Sequence, residues 1–230
     1  MKTLGLIGGM SWESTALYYQ RLNQLTRARR GGLHSAPLLL YSFDFAEIER
    51  LQADGDWRRA GDRLAEVAQT LEHAGAQALV LCTNTMHKLA AQIEAATAVP
   101  LLHIADATAA AIERAGVQRP LLLATAYTME QDFYTGRLRE GHGIDVVVPD
   151  PRARALIHQV IYDELCQGRI EPASKARYLA IIERAVADGA DGVIFGCTEV
   201  GLLIQPDDLA VRAFDTTELH CHAAIAFALG

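Results

Sequence analysis

The chain has no apolar run approaching the roughly 20 residues of a membrane-spanning helix, so no such helix is expected. It has no basic excess either: 21 Lys and Arg stand against 28 Asp and Glu, for a formal net charge of −7. Phosphate backbones and anionic membranes both call for a basic face, so neither nucleic acid nor a membrane is an expected partner. A small anionic substrate is still compatible, because a few local donors outweigh net charge. Cysteines are few, four in all at 82, 166, 197 and 221, and too far apart to suggest a disulfide framework. Gly and Pro number 18 and 7 and charged residues make up 21%, which excludes collagen-like and disordered compositions. The start, MKTLGLIGGM, carries no signal-peptide cleavage site and runs straight into a strand pattern, so a cytoplasmic protein is expected.

What is present is apolar residues, 50% of 230, enough for one large domain or two small ones. Short apolar runs alternate with longer amphipathic stretches. The strand-like runs are 4–7, 37–42, 78–81, 101–104, 120–124, 145–148, 193–195 and 211–214. Helix-like segments between them include 14–28, 59–73, 88–96, 132–140, 154–167, 172–187 and 218–229. Continuous apolar strands suit parallel sheets covered on both faces, and strand–helix alternation makes the class α/β.

The two halves resemble each other. AGAQALVLCTNT (74–85) lies over DGADGVIFGCTE (188–199) at an offset of 114, and Leu6–Ser11 over Leu122–Tyr127 at 116. With Ile104-Ala105-Asp106 over Ala213-Phe214-Asp215, three matches in order favour a duplication over the general likeness of βα units. The expected architecture is two pseudo-symmetric lobes, each a roughly four-stranded, mainly parallel sheet flanked by helices, with an active-site cleft between them. The expected lobes are 1–115 and 116–215, with the C-terminal helix of about 216–230 a candidate to pack back on the first.

The duplication sets two strand ends against each other, Cys82-Thr83-Asn84-Thr85 and Gly196-Cys197-Thr198-Glu199, so that Thr83 falls opposite Cys197 and Asn84 opposite Thr198. Asn84, Thr85 and Thr198 sit at expected helix starts, where hydroxyls, an amide and open backbone N–H groups form a receptor for a carboxylate. Asn and Thr also serve simply as helix caps. Cys197, after a buried strand and before a helix start, is expected to ionise more readily than a free thiol. Cys82 is out of phase with Thr83 on its strand and reads as packing, with Cys166 and Cys221 structural or at the surface. The turn GLIGGMSWEST lacks the G-x-G-x-x-G spacing of a dinucleotide site and reads as a tight strand-to-helix turn with Met10 and Ser11 at its rim. Thr125 and Tyr127 are the matching rim residues of the second half. Thr128 with Gln131 has capping-box spacing. His87 and His103, near the first strand end, read as packed and hydrogen-bonded. His220 and His222 do not share a helix face, so no metal site is expected.

These residues resemble the cofactor-independent amino-acid racemases of the aspartate/glutamate racemase family. The likeness spans the whole chain through GLIGGMSWEST, Asn84-Thr85-Met86-His87 and Gly196-Cys197-Thr198-Glu199. It implies two pseudo-symmetric α/β lobes, no cofactor, an amino-acid substrate and a homodimer. It also implies two acid/base groups on opposite faces of the substrate Cα, one being Cys197. The other position, before Asn84, holds Thr83 where the family pattern has a thiol, which is similar to the enterobacterial branch of L-aspartate/glutamate-specific or broad-specificity racemases. Met10, Ser11, Gln52, Asn84, Thr85, Thr125, Tyr127, Thr198 and Glu199 are the implied substrate contacts. Aspartate-specific relatives often carry a Lys where this chain has Ile161–Cys166; Arg50 and Gln52 are the substitutes, leaving room for neutral polar substrates such as homoserine. The alternatives are a single-thiol malonate-type decarboxylase or maleate-type isomerase on the same scaffold, and a non-catalytic amino-acid-binding protein.

Overall fold

A computed structural model describes all residues from Met1 to Gly230. The chain divides into two compact units, one formed by Met1–His103 with His220–Gly230 and the other by Ile104–Leu219.

The first unit contains β1 (Leu4–Gly8), α1 (Trp12–Arg30), β2 (Leu38–Ser42), α2 (Phe45–Ala53), α3 (Trp57–His73), β3 (Ala78–Leu81), a 3₁₀ turn at Thr85–Leu89, α4 (Ala90–Ala96) and β4 (Leu101–Leu102). Its four strands are parallel, in the order β2-β1-β3-β4. β1 and β3 are buried along their whole length, and their side chains alternate between two cores. Ile7, Leu79 and Leu81 pack with Ile48, Leu64, Val67 and Ile93 on one face. Leu4, Leu6, Val80 and Cys82 pack with Tyr18, Leu22 and Leu25 on the other. Two covered faces explain why these strands read as unbroken apolar runs. Local signals set the ends of α1: Ser11 caps its first turn by accepting from Ser14 N, Glu13 lies near the start, and Arg27, Arg29 and Arg30 lie in the last turn beside the negative end of the helix dipole.

The second unit contains α5 (Ile104–Ala115), β5 (Pro120–Leu123), α6 (Ala126–Glu130), α7 (Asp132–His142), α8 (Pro151–Asp163), a 3₁₀ turn at Leu165–Gln167, α9 (Pro172–Ala187), β6 (Gly192–Phe195), α10 (Val200–Leu203) and β7 (Arg212–Asp215). α11 (Thr216–Leu229) follows, and its residues from His220 onward belong to the first unit, where Cys221, Ala224, Ile225 and Ala228 join the core beside Tyr18. β5, β6 and β7 form a parallel sheet in that order. Its core combines Leu121, Leu123, Val193 and Phe195 with Tyr134, Ile157, Tyr178 and Ile182 from the helices.

The expected fourth strand of the second half, at 145–148, is reduced to a single bridge between Val147 and Leu121. Only Leu122 N–H to Val147 O and Val147 N–H to Pro120 O are made. Pro149 follows directly; it has no N–H to extend the ladder, and Asp150-Pro151 turn the chain into α8, where Asp150 accepts from Arg152 N and Ala153 N. Two helical segments also differ from their expected extent. The run 88–96 is a 3₁₀ turn leading into the short α4, and 154–167 is α8 followed by the separate turn Leu165–Gln167.

Candidate active site

Each unit gathers the expected site residues at the carboxyl ends of two adjacent parallel strands. In the first unit these are β1 and β3. The turn after β1 needs glycine at Gly9, where φ is +86° and a Cβ would lie 2.3 Å from the Phe43 backbone N and O. Gly9 N–H donates to Thr15 Oγ1 at 2.8 Å, and Thr15 Oγ1 donates to Ser11 O at 2.9 Å. Met10 and Ser11 are thereby held in a buried turn.

At the end of β3, Thr83, Asn84 and Thr85 are buried as well. Thr83 N–H donates back to Leu81 O at 2.9 Å, and His87 Nδ1 lies 2.7 Å from Thr83 O. Gln52, at the end of α2, is buried and points its amide at Met86 Sδ, 2.9 Å away. Arg50, the other candidate for the side-chain pocket, is exposed.

In the second unit the strands are β5 and β6. Gly196 fits there because a Cβ would lie 2.6 Å from Leu122 Cδ1 and 2.9 Å from Ala124 Cβ. Its N–H donates to Leu123 O at 2.8 Å, which ties the end of β6 to β5 one residue before Cys197. Thr125 caps α6 by accepting from Thr128 N, so the cap is Thr125 and not the expected Thr128. Tyr127 is half-buried and meets the His158 ring edge to face at 5.7 Å.

Cys197 Sγ donates to Glu199 Oε2 at 2.9 Å, and Glu199 is only 2% exposed. Burial, then the Glu199 carboxylate and Cys166, hold this thiol well above its usual pKa. That reverses the expectation of easy ionisation. The helix that was to supply a positive pole is a 3₁₀ turn at Thr85–Leu89 in one unit and the single turn Val200–Leu203 in the other, and neither Asn84 nor Glu199 caps it with its side chain. Such short elements carry little dipole, so desolvation and the neighbouring negative charge decide.

Behind Thr83 the structure joins His87 and His103, both expected near this strand end, to His220, which no local signal places there. His87, His103 and His220 are all buried, with ring centroids 4.5 Å apart for His87–His103 and 5.8 Å for His87–His220. His220 lies 2.9 Å from Tyr18 Oη through Nδ1 and 2.6 Å from Leu102 O through Nε2. Burial lowers its pKa to about 4. Across the molecule, no three His, Cys, Asp or Glu side chains are grouped to hold a metal ion. No helix is long and apolar enough to cross a membrane.

The model of the Asp/Glu/hydantoin racemase family matches residues 7–224. A proposed Asp/Glu racemase from Yersinia pestis is 54% identical, with a TM-score of 0.94 over 100% of both chains. An aspartate racemase homologue from Pyrococcus horikoshii is 34% identical, with a TM-score of 0.86, again over 100% of both. The broad-specificity amino-acid racemase RacX of Bacillus subtilis is 23% identical over 227 residues, 93% of this chain and 92% of its own length. With a family match across nearly its whole length and two parallel α/β sheets, the chain belongs to the Asp/Glu/hydantoin racemase family and is an amino-acid racemase, an isomerase.

Proposed function

We propose that this enzyme inverts Cα of an L-amino acid with a polar side chain, aspartate, glutamate or a neutral analogue such as homoserine, by two-base proton transfer between Cys197 and Thr83. The observation that carries the reading is the Cys197 thiol hydrogen-bonded to a buried carboxylate, Glu199, at a strand end. The thiol rests protonated. Glu199 accepts its proton, and the resulting thiolate removes the substrate α-proton. The carbanion then takes a proton from the Thr83 hydroxyl on its opposite face, the Thr83 oxygen recovers one from water, and the hydroxide left takes the proton held by Glu199, which restores both side chains. The reverse reaction runs these transfers backwards. General acid–base transfer of this kind typically contributes about 10²–10⁴-fold.

Backbone N–H groups and side chains at Met10, Ser11, Asn84, Thr85, Thr125, Tyr127 and Thr198 are assigned to the substrate α-carboxylate and amino group. Gln52 is assigned to the side chain: it is buried and neutral, while Arg50 faces solvent. A neutral amide favours a substrate range wider than aspartate, in keeping with the broad specificity named for the Bacillus relative. The reading requires no pyridoxal phosphate, nicotinamide or metal.

The same reading includes a cytoplasmic homodimer. Trp12 and Tyr19, 67% and 55% exposed and seven positions apart on α1, and Leu40, 48% exposed on edge strand β2, offer apolar surface to a second copy. Sedimentation at micromolar concentration tests the dimer, and a monomer would remove it. The activity is tested by incubating a panel of L-amino acids in D₂O. A substrate should gain deuterium at Cα and appear as the D-enantiomer. CO₂ release would instead identify a decarboxylase, and binding with neither change a non-catalytic receptor.

A further inference from the structure

We propose that His87 is a positioning residue for Thr83, held in place by His103, His220 and Tyr18, so that the buried histidine cluster sets the geometry of proton transfer on the Thr83 face. This rests on the assignment of Thr83 as the second acid/base group. His87 Nδ1 lies 2.7 Å from the Thr83 carbonyl oxygen. A carbonyl only accepts, so His87 carries its proton on Nδ1 and donates it. The Thr83 carbonyl lies beyond Leu81, the last residue of β3, where no ladder partner orients it. A buried peptide group needs such a partner, and here the imidazole supplies it and fixes the plane between Thr83 and Asn84.

The ring has little freedom to move. His103 packs against it at 4.5 Å and His220 at 5.8 Å. His220 is itself pinned at both nitrogens: Nε2 donates to Leu102 O at 2.6 Å, and Nδ1 accepts from Tyr18 Oη at 2.9 Å. The 3₁₀ turn, the end of β4, α11 and α1 thus converge behind one residue. Three imidazoles are an expensive way to fill a core, since each buried polar nitrogen must be hydrogen-bonded. The arrangement suits Thr83, because a neutral hydroxyl is a weak proton donor and transfers only from close, well-aligned geometry. A misplacement of about 1 Å can cost on the order of 10²-fold.

Two variants test this. His87→Phe keeps a ring against His103 and removes the donor, while His87→Asn returns an amide N–H near the Nδ1 position. With an L-amino acid that the wild type racemises in D₂O, two quantities are followed: deuterium entering the remaining L-substrate, and deuterium in the D-product. Exchange into the L-form needs only Cys197, whereas inversion needs Thr83. His87→Phe is expected to lower the ratio of inversion to exchange by about 10- to 100-fold, and His87→Asn to restore much of it. A folded His87→Phe whose exchange and inversion fall together, or do not change, overturns the proposal. If that variant does not fold, ¹⁵N spectra of the wild type decide: a proton on His87 Nδ1 supports the assignment, and a proton on Nε2 overturns it. A wild type that exchanges no amino acid overturns the racemase mechanism itself, an outcome separate from an unchanged ratio.

Discussion

Lowering the pH should strip stability from the first unit through His220. This side chain is fully buried, and its pKa falls from 6.5 to about 4 on folding because the charged ring would lose its hydration. The unfolded chain therefore binds the proton more readily than the native one, and stability must fall as pH falls. The contribution is intact above about pH 6.5 and is lost progressively as pH drops through 4. With one pKa unit equal to about 1.4 kcal/mol, linkage across these two values removes about 2 kcal/mol by pH 5 and about 3 kcal/mol by pH 4. Urea unfolding followed by tryptophan fluorescence reads the relevant region, because both tryptophans, Trp12 and Trp57, lie in the same unit as His220. His220→Gln is neutral at every pH. It should be the less stable protein at pH 7, having lost one of the two anchors to Tyr18 and Leu102, and the gap to the wild type should narrow by about 2 kcal/mol between pH 7 and pH 5. Carboxylates titrating in the same range cancel in that difference. Parallel stability curves, or an NMR titration of His220 near 6.5, would refute the reasoning.

Three further outcomes concern catalysis. Cys197→Ser should lose about 10²–10⁴-fold in turnover while still binding substrate, and calorimetry beside rate measurement checks both parts. Glu199→Gln removes the proton acceptor, so its rate near neutrality should fall and then climb with pH as the thiol ionises unaided; a flat profile at wild-type rate would show that Glu199 takes no proton. The wild type should turn over one enantiomer with the higher kcat, L to D being the preferred direction, matched by a lower KM for the other because the equilibrium constant is unity. Thr83→Cys should raise the slower kcat, and equal wild-type values in both directions would remove Thr83 from the reaction.

The elements that carry the chemistry were legible because their signals are local. Unbroken apolar runs such as Leu4–Gly8 and Gly192–Phe195 mark strands covered on both faces, and the internal likeness of 74–85 to 188–199 marks the two strand ends bearing Thr83 and Cys197. The helices expected from 14 and 154 start earlier, after Ser11 and Asp150, whose side chains cap backbone N–H groups two or three residues on. The run at 145–148 shows the limit: it has strand composition, yet whether it pairs depends on a neighbour and on the proline that follows, and it makes one bridge. The ionisation of Cys197 escapes the sequence for a related reason. Sequence places the thiol before a helix, but its pKa follows from burial and from a carboxylate 2.9 Å away. Within the histidine cluster His87 and His103 were expected near the strand end, whereas His220 lies furthest from any sequence signal, since Tyr18 and His220 are 202 residues apart and Leu102 and His220 are 118 apart. Sequence alone determined the parallel α/β class, through the periodicity of neighbouring residues. Tertiary structure alone decided which distant side chains share a buried space, and so which protons they hold, because desolvation and charge act through space and leave no periodic trace along the chain.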